Sequence, residues 1–307
     1  MSAPSVSVLI PSYNCARYLP ETIESVLAQD LRDFELVILD DRSSDASNEV
    51  LEAYSRRDER IRYQLNERNL GLVENWNACL AAASGRYVKF LHSDDKLTRP
   101  TSLRQLVDLL DAHPSATLVA CGREIIDEDS RRLRVKGFAG RRIVVPGPAA
   151  IALTVGTGSN LIGEPSCVLF RREDAKRGFD PGYRQLVDLE MWFHLLRHGD
   201  LVYTPESLCA FRRHDSQQSN VSRISGEHGG ELTELAEAYV DTACRLDDPE
   251  SLTAWSYRLH RLKRTAELHK NLVEIDARLG VTRRLRRFVY ALGRPLSNLK
   301  RRVRRYR

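Results

Sequence analysis

The sequence predicts an α/β protein in which a mostly parallel, twisted sheet is flanked by helices. Short apolar runs typical of buried parallel strands alternate with helical segments four times in about the first 90 residues. Two of these runs end in paired aspartates, Asp40-Asp41 and Asp94-Asp95, and ligands bind at the carboxyl ends of such strands. A chain of 307 residues can also bury a substantial core, in one large or two modest domains.

The first half of the chain is predicted to form four strands and three helices. Pro20 and Glu21 suit the first turn of a helix, and Gly85 ends another. Ser43, Ser44 and Asp45 are candidate N-caps of the second helix. In order, the predicted elements are a strand at 6–10, a helix from 19, a strand at 34–39, a helix after 45, a strand at 61–65, a helix at 73–84 and a strand at 87–91.

The second half is predicted to continue the α/β pattern and then become helical. Its elements are a helix from 100 to 113, a strand at 116–121, an irregular hairpin over 122–146, a helix at 148–155, a strand at 167–170, a helix at 186–199 and short strands at 201–203 and 208–211. A polar, glycine-containing linker at 216–230 follows, and the chain is predicted to be helical from residue 231 onward.

Composition and cysteine usage indicate an ordinary globular protein. Hydrophobic residues make up 42% of the chain and charged residues 29%, and no apolar run approaches the ~20 residues that span a bilayer. No signal-peptide pattern precedes residue 6, and the six cysteines form neither a CxxC pair nor a cluster with histidine. We therefore expect a cytoplasmic protein with reduced thiols and without a structural zinc site.

The paired aspartates at the sheet edge indicate a ligand site. Because parallel strands have their carboxyl ends on one edge, Asp40, Asp41, Asp94 and Asp95 are expected to share a crevice. Adjacent carboxylates repel each other unless a positive charge lies near, and a divalent cation carrying a phosphorylated ligand is the usual candidate. The alternative is a strand followed by an aspartate-rich turn. Neither GxGxxG nor a P-loop motif occurs, so a metal held by acids is the expected phosphate anchor.

The helix predicted at 186–199 carries a further acidic pair, Asp188 and Glu190. Two residues apart on a helix lie about 200° around its axis, so the two carboxylates cannot both face one site. Asp188 lies beside the apolar arc, where its basicity would be raised, whereas Glu190 lies with His194 and Arg197. Asp188 is therefore the better candidate for a carboxylate in a partly apolar cleft, and the alternative is that it caps the first turn.

His214 follows two arginines at the end of a short predicted strand. A histidine in this setting is a candidate metal ligand or diphosphate contact, because imidazole binds metals when neutral and anions when charged. The alternative is an ordinary surface residue, and the sequence leaves both interpretations open.

Five stretches, in this order, resemble the motifs of the inverting family 2 glycosyltransferases with the GT-A fold. The resemblance covers about residues 5–215; each motif alone is weak, and the ordered set is specific. The stretches are Val8-Leu9-Ile10-Pro11-Ser12-Tyr13-Asn14, Asp40-Asp41-Arg42-Ser43-Ser44-Asp45, Asn69-Leu70-Gly71, Phe90-Leu91-His92-Ser93-Asp94-Asp95 and Asp188-Leu189-Glu190-Met191-Trp192.

The resemblance implies a nucleoside-diphosphate sugar donor, a glycan or lipid-linked glycan acceptor, and Mn²⁺ or Mg²⁺ as cofactor. Pro11 and Tyr13 resemble the turn that packs on the nucleotide base, Asp40 resembles the acid that binds the base, and Asp41 would lie beside the ribose. Asp188 resembles the catalytic base that deprotonates the acceptor hydroxyl. The remaining candidates for donor binding are Asn14, Arg68, Asn69, Gly71 and Asp94.

Asp94 and Asp95 resemble the DxD region of that family, with Asp95 most like the acid that contacts the metal. His92 stands where many relatives have the first aspartate of DxD. Metal binding would therefore rest on fewer carboxylates, with Asp94, His92 and His214 as further candidate ligands.

The base assignment and the enzyme class each have an alternative. Val187 stands where many relatives have Glu in a Glu-Asp pair, which leaves Glu190 as the reserve candidate for the base. A nucleotidyltransferase on a similar sheet would need a basic triphosphate loop after the first strand, where residues 11–17 offer only Arg17. A non-catalytic nucleotide-sugar or glycan-binding module would be consistent with the altered His92 and Val187.

The resemblance implies three parts: a Rossmann-like nucleotide-sugar half at 1–100, an acceptor half with the base at 101–222, and a helical C-terminal extension at 223–307. The tail at 281–307 carries ten Arg, one Lys and no acidic residue, against a whole-chain net charge of +5, so the rest of the chain is net negative. Its apolar residues recur at helical spacing, a pattern suited to an anionic membrane interface.

The alternative for the tail is a helix packed on its own domain. No nucleic-acid-reading motif is present, so nucleic acid is not an expected partner. We expect a cytoplasmic protein that is peripheral on the inner face of the cell membrane.

Overall fold

The computed structural model describes residues 3–157, 160–214, 231 and 234–239, and it confirms the α/β fold class. In these residues ten strands form one sheet that is flanked by helices. The strands are β1 (Val6–Ser12), β2 (Phe34–Asp40), β3 (Ile61–Leu65), β4 (Tyr87–Phe90), β5 (Lys96–Leu97), β6 (Ala116–Ile126), β7 (Arg132–Lys136), β8 (Ile143–Val145), β9 (Val168–Arg171) and β10 (Asp200–Arg212). The helices are α1 (Leu19–Leu27), α2 (Ser47–Ser55), α3 (Leu72–Ala82), α4 (Ser102–Asp111), α5 (Gly147–Thr157) and α6 (Val187–Leu196), with short 3-10 helices at Pro165–Cys167 and Arg172–Ala175.

Strands β1 to β4 pair in parallel, as the alternation of strands and helices predicts, and the sheet becomes mixed beyond β4. The strand order is β3-β2-β1-β4-β9-β6-β10-β5, with β7 on β6 and β8 on β10. β2 and β4 pair with the two opposite edges of β1, so the direction in which successive strands are added to the sheet reverses at β1. The carboxyl ends of these three strands lie along one edge, and the two acidic turns follow strands on either side of β1.

The apolar runs of the sequence become the buried centre of this sheet. Every residue of β1, β2 and β4 is buried, as expected for strands covered on both faces. Lys89 is a charged residue within the buried strand β4. Its Nζ is fully buried and donates to the carbonyl oxygens of Ser166 and, at 3.3 Å, Val168. A buried ammonium needs such partners, and here they belong to the 3-10 helix Pro165–Cys167 and to the first residue of β9.

Two strand predictions beyond residue 116 require correction. The predicted hairpin over 122–146 forms only in part, because β7 returns along β6 whereas β8 pairs with β10. The two short strands predicted after residue 200 are one strand, β10, whose register against β6 shifts between Thr204 and Ser207. Pro205 lies in this bulge, where proline is tolerated. Gly122 faces it, and a Cβ there would lie 2.6 Å from the Pro205 carbonyl oxygen.

Of the three predicted N-caps of the second helix, Asp45 binds the start of the helix, and Ser43 and Ser44 bind elsewhere. Helix α2 begins at Ser47, and its N-cap residue, Ala46, makes no side-chain capping hydrogen bond. Asp45 Oδ1 accepts the N–H of Ser47 at 3.0 Å, and its Oδ2 accepts the N–H of Ala16 at 3.0 Å. Ser43 and Ser44 bind the turns at the sheet edge.

The chain divides into two compact units, residues 1–147 with 160–231 and residues 148–159 with 232–307. All strands of the sheet belong to the first unit, and the described part of the second consists of most of α5 and a helical stretch at 234–239. The three-part division at residues 100 and 222 stays a prediction, and the tail at 281–307 lies outside the described residues. Of the helices in the described ranges, none combines the length and apolar content that a bilayer span requires.

Candidate active site

The first acidic turn, Asp40-Asp41, is bound by donors from the protein itself. Asp40 accepts hydrogen bonds from the backbone N–H and the hydroxyl of Ser43, both at 2.7 Å. Asp41 accepts the backbone N–H groups of Leu70 at 2.7 Å and Gly71 at 2.9 Å. Both carboxylates are buried. This turn is therefore preorganised before any ligand arrives.

The turn after β1 is joined to the first acidic turn. Asn14 has a left-handed φ of 52°, its side-chain oxygen accepts the N–H of Ser44, and its own N–H donates to Ser43 Oγ, both at 2.8 Å. Pro11 is buried, whereas the side chain of Tyr13 is 53% exposed. The ring of Tyr13 is thus available to stack on a flat ligand at the sheet edge.

The loop before α3 completes this side of the edge. Asn69 donates from its side chain to the carbonyl oxygen of Asp41 at 2.9 Å. Gly71 has a φ of 85°, a left-handed conformation in which any other residue would be strained, and this conformation directs its N–H to Asp41. Arg68 is exposed, and its Nη2 lies 3.8 Å from Glu74. Asn69 and Gly71 therefore contribute to the site by binding Asp41, whereas Arg68 places a positive charge at the surface.

The second acidic turn, Asp94-Asp95, places its two carboxylates in different surroundings. Asp95 is fully buried and accepts the backbone N–H of Arg212 at 2.9 Å and the hydroxyl of Ser166. Burial, and then the charge of Asp94, raises the pKa of Asp95 well above its ordinary value. Asp94 is half-buried, and its Oδ2 lies 3.0 Å from Nε2 of His214. Of the two, Asp94 has the more accessible carboxylate.

His92 lies beside this turn with an unpaired ring nitrogen. Its Nε2 is buried and has no hydrogen-bond partner within the part of the chain that the structure describes. Burial lowers the pKa of His92, which favours the neutral imidazole that binds metals. One potential ligand atom from each of His92, Asp94 and Asp95 lies within 4.8 Å of the others. This set of nitrogen and carboxylate donors fits Mn²⁺, and it fits Mg²⁺ less well because Mg²⁺ prefers oxygen.

Arg212 is a buried residue of the site that the sequence analysis did not identify. Its Nε donates to the carbonyl oxygen of Asp94 at 2.7 Å, and its Nη2 lies 2.6 Å from Oε2 of Glu21. Its Nη1 donates to Ser130 Oγ at 2.9 Å, and the guanidinium lies 4.7 Å from the centroid of the Tyr18 ring. Arg212 thus holds the backbone of the second acidic turn. The feature of the sequence that could have identified Arg212 is its position at the end of an apolar strand.

Asp188 lies in the first turn of α6, and its Oδ2 accepts a hydrogen bond from Asn160 at 3.2 Å. Burial, and then the charge of Glu164, raises the pKa of Asp188 to about 7. Asp188 is not the N-cap residue, which is Leu186, but its Oδ1 accepts the first-turn N–H of Leu189 at 2.8 Å, so it also contributes to the helix start. A carboxylate with this basicity can accept a proton from a hydroxyl group near neutral pH.

Glu190, the reserve candidate for the base, has a different environment from Asp188. It is buried and forms a two-pronged ion pair with Arg177, with one N–O distance of 2.7 Å. Val187, on the other side of Asp188 in the sequence, is buried and apolar. Because Arg177 occupies both carboxylate oxygens of Glu190, the geometry favours Asp188 over Glu190 as the acceptor of a proton.

Two further residues near Asp188, Arg123 and Glu164, were not identified from the sequence. Arg123 on β6 is buried and donates from Nη2 to Oε1 of Glu164 at 2.9 Å. Burial raises the pKa of Glu164, and its charge contributes to the raised pKa of Asp188. Glu164 follows a glycine and precedes a proline, so local pattern marks it only as a loop residue.

The segment at 160–168 joins the base candidate to the second acidic turn. Asn160, at its start, binds Asp188, and Ser166, near its end, binds Asp95. The segment also contains Glu164. A single stretch of chain therefore couples the position of Asp188 to that of the acids at the end of β4.

Sequence comparison identifies the family. Residues 7–179 match the family model described as Glycosyl transferase family 2. TuaG from Bacillus subtilis strain 168, whose name proposes a glycosyltransferase of teichuronic acid biosynthesis, is 32% identical over 200 residues. This match covers 65% of the chain and 75% of TuaG.

Solved structures show the same fold at low sequence identity. Residues 1–349 of S. aureus TarS, in complex with UDP-GlcNAc, match with a TM-score of 0.60 and 16% identity, over 94% of this chain and 90% of the TarS chain. The mannosyltransferase PcManGT from Pyrobaculum calidifontis, in complex with GDP-Man and Mn²⁺, matches with a TM-score of 0.58 and 17% identity, over 95% and 86%. Their fold is the GT-A fold predicted from the motifs.

Proposed function

The chain belongs to glycosyl transferase family 2, and from this premise we propose that it transfers a sugar from a nucleoside-diphosphate donor to a hydroxyl group of a glycan acceptor. The observation that carries the proposal is a pair of sites joined by the segment at 160–168. One is the metal-suited cluster of His92, Asp94 and Asp95, and the other is Asp188 with its pKa of about 7. A departing diphosphate needs charge compensation and an attacking hydroxyl needs a base, and these sites supply one each.

The donor is proposed to bind along the edge formed by β1, β2 and β4. Tyr13 stacks on the nucleotide base, and Asp40 and Asp41 lie in the wall of its pocket. Asp95, Asp94 and His92 would hold Mn²⁺ or Mg²⁺ on the diphosphate, and Asp95 also binds Ser166 and the backbone of Arg212. When bound, the ion compensates the charge that develops on the leaving nucleoside diphosphate.

Asp188 is proposed to take the proton from the acceptor hydroxyl. The hydroxyl oxygen then attacks the anomeric carbon on the face opposite the leaving group, so the anomeric configuration inverts. Asn160 orients the carboxylate through its amide, and the buried, negatively charged surroundings keep the carboxylate basic.

The relatives support a role in cell-envelope polysaccharide or lipid-linked glycan assembly. The name of TuaG proposes polysaccharide biosynthesis, and the two structural neighbours were solved with UDP-GlcNAc and with GDP-Man and Mn²⁺. Since these donors differ in nucleotide and in sugar, a thermal-shift screen of UDP-, GDP-, dTDP- and CDP-sugars with Mn²⁺ is the direct way to identify the donor. The bound donor should raise the melting temperature.

Release of nucleoside diphosphate tests the proposed reaction. We expect release that depends on a divalent cation and on an acceptor, and a product of inverted anomeric configuration by NMR. Asp188→Asn should lower the rate about a thousandfold, the typical contribution of a general base. Asp174→Asn is the matched control, because burial also raises the pKa of Asp174, which lies on the 3-10 helix Arg172–Ala175. Full activity in Asp188→Asn would refute the base assignment, and donor binding without transfer would favour a binding module.

We further propose that the tail at 281–307, which lies outside the described residues, rests on an anionic membrane surface. The sequence supports this proposal through its basic amphipathic pattern. A chain truncated after Ala277 should lose partition onto anionic vesicles, and unchanged partition would remove the proposal.

A further inference from the structure

The hairpin of β6 and β7 carries a concentration of positive charge that the proposed reaction does not use. Residues 131–142 contain six Arg or Lys residues and no Asp or Glu. Every residue of β7 is exposed, and in the described ranges β7 pairs with β6 alone. The strand is therefore an open sheet edge with its charges in reach of a ligand.

Strand register places part of this charge on the face of the sheet that leads to Asp188. Arg123 lies directly opposite Lys136, and Ile125 lies opposite Arg134. Opposed residues share a face of the sheet, as do residues two apart in one strand, so Arg134 and Lys136 lie on the face of Arg123. Arg123 in turn binds the glutamate that raises the pKa of Asp188.

Arg213 brings a third exposed cation to the same place. Its backbone N–H donates to the end of β6 at 2.9 Å. The surrounding protein, and then the charges of Arg123, Arg134 and Arg213, lower the pKa of Lys136, against the opposite effect of Glu164. These cations therefore lie close enough to repel one another.

The hairpin cations differ in their partners. Arg131, Arg132 and Arg142 each form an ion pair with a nearby acid. Arg134 and Lys136 have no ion pair with any residue that the structure describes. Cations that repel one another and form no ion pair are stabilised when an external anion binds between them.

We propose that Arg134, Lys136 and Arg213 bind the negative charge of the acceptor, which is then a glycan whose repeating units carry phosphate or carboxylate groups. The inference rests on the proposed transfer at Asp188. An acceptor whose hydroxyl reaches Asp188 lays its neighbouring anionic group along the face of Arg123 and Lys136. The acids of the two turns repel such a chain elsewhere, so the cationic face sets its direction.

Protection of Lys136 from acetylation tests the site at the level of one residue. The full chain is treated with a lysine-acetylating reagent alone or with inorganic polyphosphate, polygalacturonate or neutral dextran, and modification is mapped by mass spectrometry. Lys176 is the internal control, because it is exposed and has no ion pair with a described residue. Because acetylation is measured at Lys136 itself, the readout also separates this site from any binding of polyanions to the basic residues at 281–307.

Polyphosphate or polygalacturonate should slow the acetylation of Lys136 about fivefold, as for a contact of about 1 kcal/mol between exposed charges. Dextran should have no effect, and Lys176 should be unaffected throughout. Whichever polyanion protects Lys136 identifies phosphate or carboxylate as the ligand. Arg134→Gln should weaken the protection by a factor of about two to five. Arg32→Gln, at another exposed arginine, should leave it unchanged.

Three results would overturn the inference. The first is equal acetylation of Lys136 with all three polymers, and the second is protection by anionic lipid vesicles alone. The third is protection by a nucleoside diphosphate, which would assign these cations to the donor. Release of nucleoside diphosphate by the wild-type chain tests the reaction separately. Release without protection refutes the anion site alone, and protection without release supports the anion site while refuting the transferase.

Discussion

The acidic turn after β2 and the acidic turn after β4 have the same pattern of paired aspartates, and the protein completes them in different ways. Around the first turn, Ser43 and the loop before α3 supply donors to both carboxylates. Around the second, Asp95 is enclosed, Asp94 is half-buried, and the neighbouring His92 keeps an unpaired Nε2 among the described residues. The comparison teaches that the same pair of acids acquires different surroundings, since the second pair lies beside a buried imidazole nitrogen that has no partner among the described residues.

The largest expected effect comes from Asp94→Asn at the second turn. Removal of a preorganised charge that acts on the leaving group should lower the rate of transfer about a thousandfold, or about 4 kcal/mol. The melting temperature should stay near that of the wild type, because Asp94 is half-buried. Initial rates across a Mn²⁺ titration provide the measurement. Asp200→Asn, a half-buried acid on β10, is the control. An active variant with unchanged Mn²⁺ dependence would contradict the metal assignment.

Asp41→Asn at the first turn should act on stability instead. Asp41 accepts two backbone N–H groups and is buried, and hydrogen bonds to a charged group contribute about 1.5–3 kcal/mol each. We expect the free energy of unfolding to fall by about 3 kcal/mol, as measured by urea denaturation. The contrast between the turns would be lost if Asp94→Asn destabilised the fold by as much as Asp41→Asn.

Ser166→Ala removes the hydroxyl that binds the enclosed carboxylate of Asp95. The buried group loses a partner, so the free energy of unfolding should fall by about 2 kcal/mol. Ser44→Ala is the matched control at the first turn, where the serine is exposed, and it should change stability by less than about 0.5 kcal/mol. Equal effects in urea denaturation would mean that the second turn does not depend on the segment at 160–168.

The smallest effect is the pH dependence expected from Asp188. A base must be unprotonated to act, and the pKa of this carboxyl group is about 7, so kcat/KM should rise about tenfold per pH unit below 7 and become level above it. Glu164→Gln removes the nearby negative charge that raises this pKa, so the profile should move to lower pH. A profile that Glu164→Gln leaves in place would show that Glu164 does not act on the base.

Sequence patterns predict the parts of this fold whose determining interactions are local. The parallel strands β1 to β4 and the helices between them follow from apolar periodicity and from residues such as Pro20 and Gly85 near the helix ends. The two short strands predicted at 201–203 and 208–211 are instead the single strand β10, because a bulge against β6 lets the strand continue. No local pattern reports such a pairing.

The sequence by itself determined the family, the fold class and the acids that follow β2 and β4, because motif spacing and strand periodicity are properties of short stretches. Only the tertiary structure decided which acid faces outward. Asp95 is enclosed by Arg212, 117 residues away, and by Ser166, 71 residues away, while Asp94 stays accessible. It also placed Glu164 beside Asp188 and Arg123 opposite Lys136. Charge, burial and pKa depend on neighbours that the fold brings together from distant parts of the chain, and these neighbours are absent from any local pattern.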